Sequence, residues 1–291
     1  MAIDSGVFVE AVLTALAVLV SGCAVTDDAR DGCSCSSLYC CDLRIQPAVV
    51  PEGANALNAQ EKTEGYELLF DGRNLPVDKW VGVNNACTNF PAKGWFVKDG
   101  CLSMHPANRI YNGKHIPLPL EVRKLGGGGD ICTKKTYRDF CFKFDFRLTE
   151  AANSGVKYFF DEKANNGTCE EYQVLDAAHP DSDKGRDGNR RVAALYDLIP
   201  ANAERVVKPL GQWNSGMIIS KGKHVEHWLN GVKVLEFERG SAAFRKAVDA
   251  SKYAKWGTDG RRWGELEEGR ILLQDHYDST VSFCNLKVRT L

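Results

Sequence analysis

Hydrophobic and polar residues alternate most clearly in the segment Phe140–Leu148. Aromatic or aliphatic side chains occupy every second position, and Cys141, Lys143, Asp145 and Arg147 lie between them. A period of two is that of a β-strand, whose successive side chains point to opposite faces of the sheet. The pattern therefore predicts a strand with one packed face and one face that can meet solvent.

Turn signals divide the chain after residue 65 into short strand-like runs. Asp99-Gly100 and Asn230-Gly231 each separate two such runs, and these dipeptides favour hairpin turns that require positive φ. Near the C-terminus, Val281–Phe283 and Leu286–Val288 alternate in opposite phase across Cys284-Asn285. That change of phase predicts a β-bulge in the last strand.

The segment Ser241–Trp256 is the one with a clear helical pattern. Ser241 is a candidate N-cap, and Phe244, Ala247 and Val248 follow at broadly helical spacing. Elsewhere the chain shows no repeated alternation of strand and helix, which disfavours Rossmann and TIM architectures. We therefore predict an all-β domain, a two-sheet jelly-roll β-sandwich with one inserted helix.

Composition narrows the class of protein. The chain has 291 residues, of which 44% are hydrophobic and 26% charged, as in soluble globular proteins. Because 37 Lys and Arg face 38 Asp and Glu, the formal net charge is -1. Such a chain has no long-range field for a polyanion, so we expect no nucleic acid among its partners.

The N-terminal segment, residues 1–23, has the features of a lipoprotein-type signal. The apolar run Ala11–Val20 is too short to span a bilayer, which needs about 20 residues, and it leads into Ser21-Gly22-Cys23. We predict lipidation of Cys23 and a location in the cell envelope, periplasmic or at the outer surface, with membrane contact through the lipid alone. The leader departs from the usual positive charge, because it carries Asp4 and Glu10 and no Lys or Arg. The alternative is a buried apolar helix.

Residues 24–64 show no sustained period and are predicted to form a flexible tether before a domain at 65–291. Four cysteines lie within Cys33–Cys41, at spacings that do not match the paired C-x2-C ligands of zinc sites, so local disulfides are the favoured interpretation. Six further cysteines follow, and their spacing selects none of the 15 possible pairings. We assign no catalytic cysteine.

Seven sequence blocks carry a family resemblance. They occur in this order: Tyr66–Gly72, Asn153–Val156, Glu171–Asp176, Gln212–Asn214, Leu229–Val232, Gly269–His276 and Val281–Val288. Together they resemble the 3-keto-disaccharide hydrolase family over about residues 64 to 291. The resemblance implies a concanavalin-like jelly roll, export, and cleavage of glycosides already oxidised to a ketone at carbon 3. Lys157–Phe160 departs from the family pattern where many relatives carry an arginine, and the cysteine count is also unusual, so the exact substrate stays open.

Side-chain alternation groups the polar residues of these blocks. It puts Glu171 with Gln173, Gln274 with His276, and Gly155 with Lys157 and Phe159. Polar pairs on neighbouring strands can line a concave surface, and we expect Gly155 to leave room for a ligand. Asp176 points away from Glu171 unless the strand ends at Leu175.

The ketone implied by the resemblance dictates the chemistry. A carbonyl at carbon 3 acidifies the hydrogen on carbon 2, so a base can remove it and the enolate can expel the oxygen on carbon 1. Glu171 and His276 are the candidate base and acid, in either order, with Lys157 or a divalent metal ion stabilising the enolate. The candidate substrate-binding residues are Gln173, Gln274 and Asn214 for hydroxyl groups, Trp213 for stacking on a sugar ring, and Asp176.

Each candidate has a structural alternative. Glu171 can be an edge-of-sheet carboxylate paired with a cation, His276 a loop histidine beside Asp275, and Trp213 a core residue. His179, His224 and His227 are interpreted as structural, the last two because they point to opposite faces of a strand.

The charged segment 181–191 does not fit the EF-hand spacing and is interpreted as a solvated rim loop. The glycine run 126–129 lacks the phosphate-loop signature, so we expect a mobile or close-packed loop.

The function itself keeps two alternatives to an enzyme. A non-catalytic carbohydrate-binding module on the cell surface would need aromatic rings and amides but no acid and base. A structural envelope protein would show no groove. The discriminating feature is whether Glu171 and His276 lie within about 5–8 Å of each other beside an open groove.

Overall fold

Two antiparallel β-sheets build the computed structural model, which describes residues 49–111, 114–164, 167–258, 260–277 and 280–291. The strands in chain order are β1 (Glu67–Leu68), β2 (Trp80–Gly82), β3 (Trp95–Lys98), β4 (Cys101–Met104), β5 (Asn108–Tyr111), β6 (Lys114–Pro117), β7 (Ile131–Thr133), β8 (Phe140–Leu148), β9 (Asn153–Phe160), β10 (Glu170–Leu175), β11 (Trp213–Lys221), β12 (His224–Leu229), β13 (Val232–Glu238), β14 (Gly257–Thr258), β15 (Arg261–Arg262), β16 (Arg270–Leu273) and β17 (Val281–Thr290). The α-helices are α1 (Ala59–Thr63), α2 (Leu120–Arg123) and α3 (Ala242–Asp249).

The larger sheet has eight strands in the order β13-β12-β11-β8-β17-β4-β3, with β1 also paired to β17. The smaller sheet has five strands in the order β10-β9-β16-β7-β2. The two remaining strand pairs, β5-β6 and β14-β15, are separate hairpins. This arrangement confirms the predicted all-β jelly-roll sandwich.

The core lies between the two sheets and depends on β8. The strand runs over Phe140–Leu148 as predicted, and its four phenylalanines are each at most 1% exposed. Phe144 meets Tyr172 of the smaller sheet edge to face, with ring centroids 5.1 Å apart. The period of two thus translates into packing, because every apolar position of β8 faces the opposite sheet.

Both predicted hairpins and the predicted bulge are confirmed. Asp99 and Gly100 have φ values of 51° and 76°, and Asn230 and Gly231 have 50° and 83°, as a type I′ turn requires. In β17 the pairing with β8 shifts register between Cys284 and Lys287. Asn285, at φ 53°, occupies that bulge.

The predicted helix at 241–256 is shorter in the structure. Ser241 is its N-cap as expected, since its hydroxyl accepts a hydrogen bond from the Phe244 amide at 3.2 Å. However, α3 ends at Asp249, and a separate 3-10 helix follows over Lys252–Lys255. Ser251 separates the two because its extended backbone and its hydroxyl, which accepts from the Tyr253 amide, start a new N-terminus.

The predicted tether is in part folded. Cys23 and the Cys33–Cys41 cluster lie outside the described residues, but from Val49 onward the chain contacts the larger sheet. Asn55 and Asn285 bond reciprocally, each side-chain oxygen accepting the other's backbone amide at 2.7 and 2.9 Å. The folded unit therefore begins before the predicted boundary at residue 65.

The six cysteines of the described domain are free thiols: Cys87, Cys101, Cys132, Cys141, Cys169 and Cys284. Burial raises the pKa of each of these thiols, as expected for cysteines without a reactive role. Within the described ranges, no helix has the length and apolar character needed to cross a membrane.

Glu61 of α1 fastens the N-terminal segment to the larger sheet. Its carboxylate, 7% exposed, accepts bonds from Lys287 at 2.8 Å and Lys143 at 3.2 Å and completes a capping box with Asn58. Burial alone would raise the pKa of Glu61, but these bonds outweigh it and hold the pKa below its ordinary 4.5. The carboxylate therefore stabilises the fold above that pH, and the contribution disappears as the pH falls through the lowered pKa.

We expect Glu61→Gln to reduce the free energy of unfolding by about 2 kcal/mol at pH 7, because the buried Lys287 and the partly exposed Lys143 lose their charged acceptor. Denaturant unfolding of both proteins measures this difference, which should shrink in acid. Glu121→Gln is the control, since its bond to Lys124 is 81% exposed on the glutamate side and is worth at most about 1 kcal/mol. Equal losses in the two variants would contradict the assignment.

Candidate active site

A cavity of about 170 Å³ opens on the face of the five-stranded sheet that points away from the core. It contains five residues of the predicted site: Lys157, Glu171, Gln173, Gln274 and His276. The other lining residues are Asn153, Gly167, Thr168, Cys169, Tyr196, Lys252 and Tyr253. The candidate acid and base thus line the same open cavity.

The register of β9 and β10 brings the strand residues together. Glu171 pairs directly with Lys157, and Gln173 pairs with Gly155, so all four positions lie on the same face. Tyr172 and Val174 point the other way and are fully buried in the core. The predicted alternation of β10 is therefore confirmed.

The segment after β16 completes the floor of the cavity. The backbone amide of Gln274 donates to the Gly155 carbonyl at 3.0 Å, and the Gln274 carbonyl accepts from the Ser154 hydroxyl at 2.7 Å. These bonds hold the chain beside β9 beyond the end of the strand. They place Gln274 and His276 at the cavity without continuing the sheet.

Gly155 makes room for the side chain of Glu171, which fills the space that the sequence assigned to a ligand. A β-carbon at this position would lie 2.3 Å from Oε1 of Glu171 and 2.8 Å from its Cδ. The carboxyl group of Glu171 therefore crosses directly over Gly155 to reach the cavity. A glycine is required here because a larger residue would occupy the space that the carboxyl fills.

Glu171 is 5% exposed and is surrounded by positive charge. Burial raises the pKa of its carboxyl, and the charges of Lys157, Lys252 and His276 counteract the rise. With its amide nitrogen turned toward the acceptors, Gln173 donates to Oε1 of Glu171 at 2.9 Å and to the Ser154 carbonyl at 3.0 Å. The carboxyl is thus fixed in position and has a raised proton affinity, which is the combination that a general base requires.

Lys157 remains a cation in this setting. Its ammonium lies 3.4 Å from Oδ2 of Asp130, and although burial favours the neutral form, Asp130 and Glu171 together raise its pKa. Asp130 also accepts the backbone amide of Asp275 at 2.9 Å. Burial raises the pKa of Asp275 to about 6, and its carboxyl accepts the Gly129 and Tyr277 amides. Asp130 and Asp275 thereby hold the backbone at Gly129 and at Asp275–Tyr277, next to the cavity.

The glycine run 126–129 is close-packed against this floor. A β-carbon at Gly128 would lie 2.2 Å from the Lys93 carbonyl oxygen, and one at Gly129 would lie 2.2 Å from the Asn84 amide nitrogen. Of the two expectations for this loop, close packing is the one that the structure shows.

The opposite wall of the cavity comes from residues that the sequence did not indicate. Tyr196 lies next to β10, because its backbone amide donates to the Glu171 carbonyl at 3.0 Å. The 3-10 helix after α3 supplies Lys252 and Tyr253, and the Lys252 ammonium lies 4.4 Å from the centroid of the Tyr196 ring. Burial raises the pKa of Tyr196 to about 12, so its hydroxyl stays protonated and can donate.

A buried ion pair holds this wall against the sheet. Glu170 of β10 lies 3.5 Å from Arg239, and both side chains are at most 4% exposed. The Arg239 guanidinium also stacks on Phe159, 3.8 Å from the ring centroid. Arg245 of α3 adds a 2.7 Å bond to the Trp263 carbonyl. The insertion that carries Lys252 is thus fixed to the strand that carries Glu171.

Four expected positions lie away from the cavity. The Asp176 carboxylate accepts a hydrogen bond from the Ala151 amide at 2.6 Å and lines a different cavity. Trp213 donates to the Val49 carbonyl at 3.0 Å, and Asn214 accepts from the Lys208 amide at 2.9 Å, both on β11 of the other sheet. Phe159 is buried in the core because its positive φ of 57° breaks the alternation of β9. These four residues do not line the cavity that contains Glu171.

The three histidines interpreted as structural, His179, His224 and His227, lie as follows. His227 is fully buried between the Tyr158 hydroxyl and the Ala193 carbonyl, both at 2.9 Å, and burial lowers its pKa to about 4. His224 is on the opposite face of β12, as expected. The rings of His179 and His276 meet edge to face with centroids 6.1 Å apart, so His179 contacts a residue of the cavity.

A divalent metal was one of the two predicted enolate stabilisers. Within the described part of the chain, the residues that could hold an ion together are His224, Glu226 and Glu236, with ligand atoms within 4.8 Å. They lie on β12 and β13, and Lys233 already bonds both glutamates. The described cavity residues form no such group, so we derive no step through a metal.

Comparison with known proteins identifies the family. Residues 65–289 match the model of the 3-keto-alpha-glucoside-1,2-lyase-like domain. A 3-keto-disaccharide hydrolase of Bacteroides thetaiotaomicron is 31% identical over 256 residues, which cover 81% of this chain and 82% of the relative. A crystal structure from Parabacteroides distasonis, described as a "putative glycosyl hydrolase", is 30% identical with a TM-score of 0.64, covering 82% of this chain and 99% of that one.

The match spans both strands and the C-terminal segment that carry the cavity, and it extends over most of the folded unit. The chain therefore belongs to the 3-keto-alpha-glucoside-1,2-lyase-like domain family.

Proposed function

We propose that this glycoside-cleaving enzyme acts on glycosides that carry a ketone at carbon 3, by removing the proton from carbon 2. The observation that supports the proposal is the position of Glu171. Its buried carboxyl faces the cavity, next to the ammonium groups of Lys157 and Lys252 and in the same hollow as His276. A binding module would need no such buried, charge-compensated base.

In the proposed first step, Glu171 takes the proton from carbon 2, and the electron pair moves onto the oxygen at carbon 3. Lys157 stabilises the enolate oxygen, because it keeps its proton at the cavity floor. A carboxyl whose pKa is raised by burial is a stronger base than an exposed one.

In the second step the enolate pair re-forms the ketone, a double bond forms between carbons 1 and 2, and the bond from carbon 1 to the leaving oxygen breaks. His276 donates a proton to that oxygen. Water then adds its hydroxyl to carbon 1 and a proton to carbon 2, so the overall change is hydrolysis. The proton that Glu171 received passes through solvent to His276, which returns both groups to their starting states. Gln173 and Gln274 bind hydroxyl groups of the sugar, and the protonated Tyr196 hydroxyl is an additional donor.

We further propose that the enzyme is held at the cell envelope through a lipid on Cys23. The support is the sequence of residues 11–23 described above. A carbohydrate substrate then meets the enzyme outside the cytoplasm.

We expect the purified protein to release the aglycone from 3-keto-glucosides and not from the corresponding unoxidised glucosides. The ketone is required because it is what acidifies carbon 2. Release is followed by chromatography with and without a chelator, and the chelator should have no effect if Lys157 alone stabilises the enolate. Failure to cleave either class of substrate would remove the enzyme assignment.

Glu171→Gln and His276→Ala should each abolish turnover, with a loss of at least about 100-fold in kcat. Neither change should unfold the domain, which circular dichroism and thermal unfolding can verify. Trp213→Phe is a control, because Trp213 lies on β11 of the other sheet and does not line the cavity. Wild-type rates in both site variants would refute the two roles.

Gly155→Ala tests the position of the carboxyl without removing it. The added methyl group would push Oε1 of Glu171 away from its place, and a displacement of about 1 Å can cost about 100-fold in rate. We expect kcat to fall by that order while the variant stays folded, since the side chain can rotate. Normal kcat in a folded variant would show that the position of Glu171 does not matter.

A further inference from the structure

A second cavity, of about 310 Å³, lies beside the first along β10. Leu175 lines it, and Leu175 pairs directly with Asn153, which lines the first cavity. Residues paired in this way have β-carbons about 5 Å apart. The two cavities are therefore neighbours along β10, lined by directly paired residues of one sheet.

The wall of the second cavity is mainly apolar and partly exposed. Leu148, Leu175 and Val192 form its inner side, and Val207 and Leu210 form its rim. Val207 and Leu210 are 36% and 47% exposed, although large apolar side chains gain free energy from burial. A ligand with an apolar body would cover them.

The same cavity carries an excess of positive charge. Arg191, Arg205 and Lys208 line it, against the single carboxylate of Asp176, whose Oδ2 already accepts the Ala151 amide. Among the described residues, Arg191 forms an ion pair with Asp183, at 3.6 Å, and that carboxylate is 83% exposed. An anion in the cavity would be attracted by a net charge of +2, the difference between three cations and one carboxylate.

Arg205 is the most informative of these cations. It is half-buried, and within the described residues no carboxylate forms an ion pair with it. Burial and the nearby charge of Arg191 both lower the pKa of Arg205. Two arginines close together without a shared anion are unfavourable, and a bound carboxylate would relieve the repulsion.

Ser182 adds a polar group to the same wall. It is 3% exposed, and its hydroxyl has no hydrogen-bond partner among the described residues. A buried hydroxyl without a partner costs free energy that a ligand acceptor can recover.

We propose that the second cavity binds the leaving group of the substrate, and that this leaving group is an apolar ring carrying an anionic group such as a carboxylate. The inference rests on the proposed function, because it assigns the sugar to the first cavity and the group released from carbon 1 to the second. The apolar wall covers the ring, and Arg205 with Arg191 receives the anion. The enzyme then prefers 3-keto-glycosides of acidic aromatic alcohols over neutral ones.

Binding is measured first with the leaving group alone. We expect 4-hydroxybenzoate to bind the full protein about ten times more tightly than neutral 4-hydroxybenzamide in isothermal titration calorimetry. Arg205→Gln should remove this preference. Arg123→Gln is the matched control, since Arg123 is an exposed arginine of α2 that does not line this cavity, and it should keep the preference.

Kinetics then connect the cavity to turnover. The 3-keto-glucoside of 4-hydroxybenzoate should have a KM about ten times lower than that of 4-hydroxybenzamide in the wild type, and Arg205→Gln should remove the difference. Equal affinities and equal KM values for the two compounds in the wild type would overturn this inference and leave the proposed function intact. Release from neither 3-keto-glucoside would overturn the proposed function, and the calorimetric comparison would still decide what the cavity binds.

Discussion

The site depends on the buried carboxylate of Glu171, whose negative charge is balanced by neighbouring positive groups. Glu171 lies in a space that exists only because residue 155 is glycine, and it is accompanied by Lys157, Lys252 and the His276 ring. Without these cations the group would be neutral at that depth, since burial disfavours the charged form. With them it keeps both a raised proton affinity and a fixed position. The strand register and the insertion after β13 hold Glu171 and its neighbouring cations together.

The strand register is the first of these supports. Because β9 and β10 are antiparallel neighbours, Lys157 and Glu171 are placed opposite each other by backbone hydrogen bonds and not by flexible loops. The insertion after β13 supplies the second cation, and the buried pair of Glu170 and Arg239 ties that insertion to the same strand. One face of β10 thus carries Glu171 at the cavity, and the other carries Glu170, which binds Arg239.

Much of this could be predicted from the sequence, because a period of two fixes which side chains share a face. That rule placed Glu171 with Gln173 on one surface, and it failed only where the backbone departs from a regular strand. Phe159 turned inward because its φ is positive, which no pattern of side chains reveals. Trp213 and Asn214 belong to a family block, but they serve the other sheet.

The second wall of the cavity could not be predicted for a different reason. Tyr196 and Lys252 come from a loop and an insertion, where contacts are set by tertiary packing and not by periodicity. A single sequence shows that Lys252 lies in a helical segment. It does not show that α3 ends at Asp249 and that Ser251 starts a second helix, which carries Lys252 beside Tyr196.

The central claim is that bond cleavage begins with loss of the proton on carbon 2. The most direct measurement is to run the reaction of a 3-keto-glucoside in D2O and to read the deuterium content of the released sugar by mass spectrometry and NMR. The control for spontaneous exchange is unlabelled released sugar incubated in D2O with Glu171→Gln. The account predicts one deuterium at carbon 2 in every molecule of product at the first time points. Release of the aglycone with the original hydrogen still on carbon 2 would contradict it.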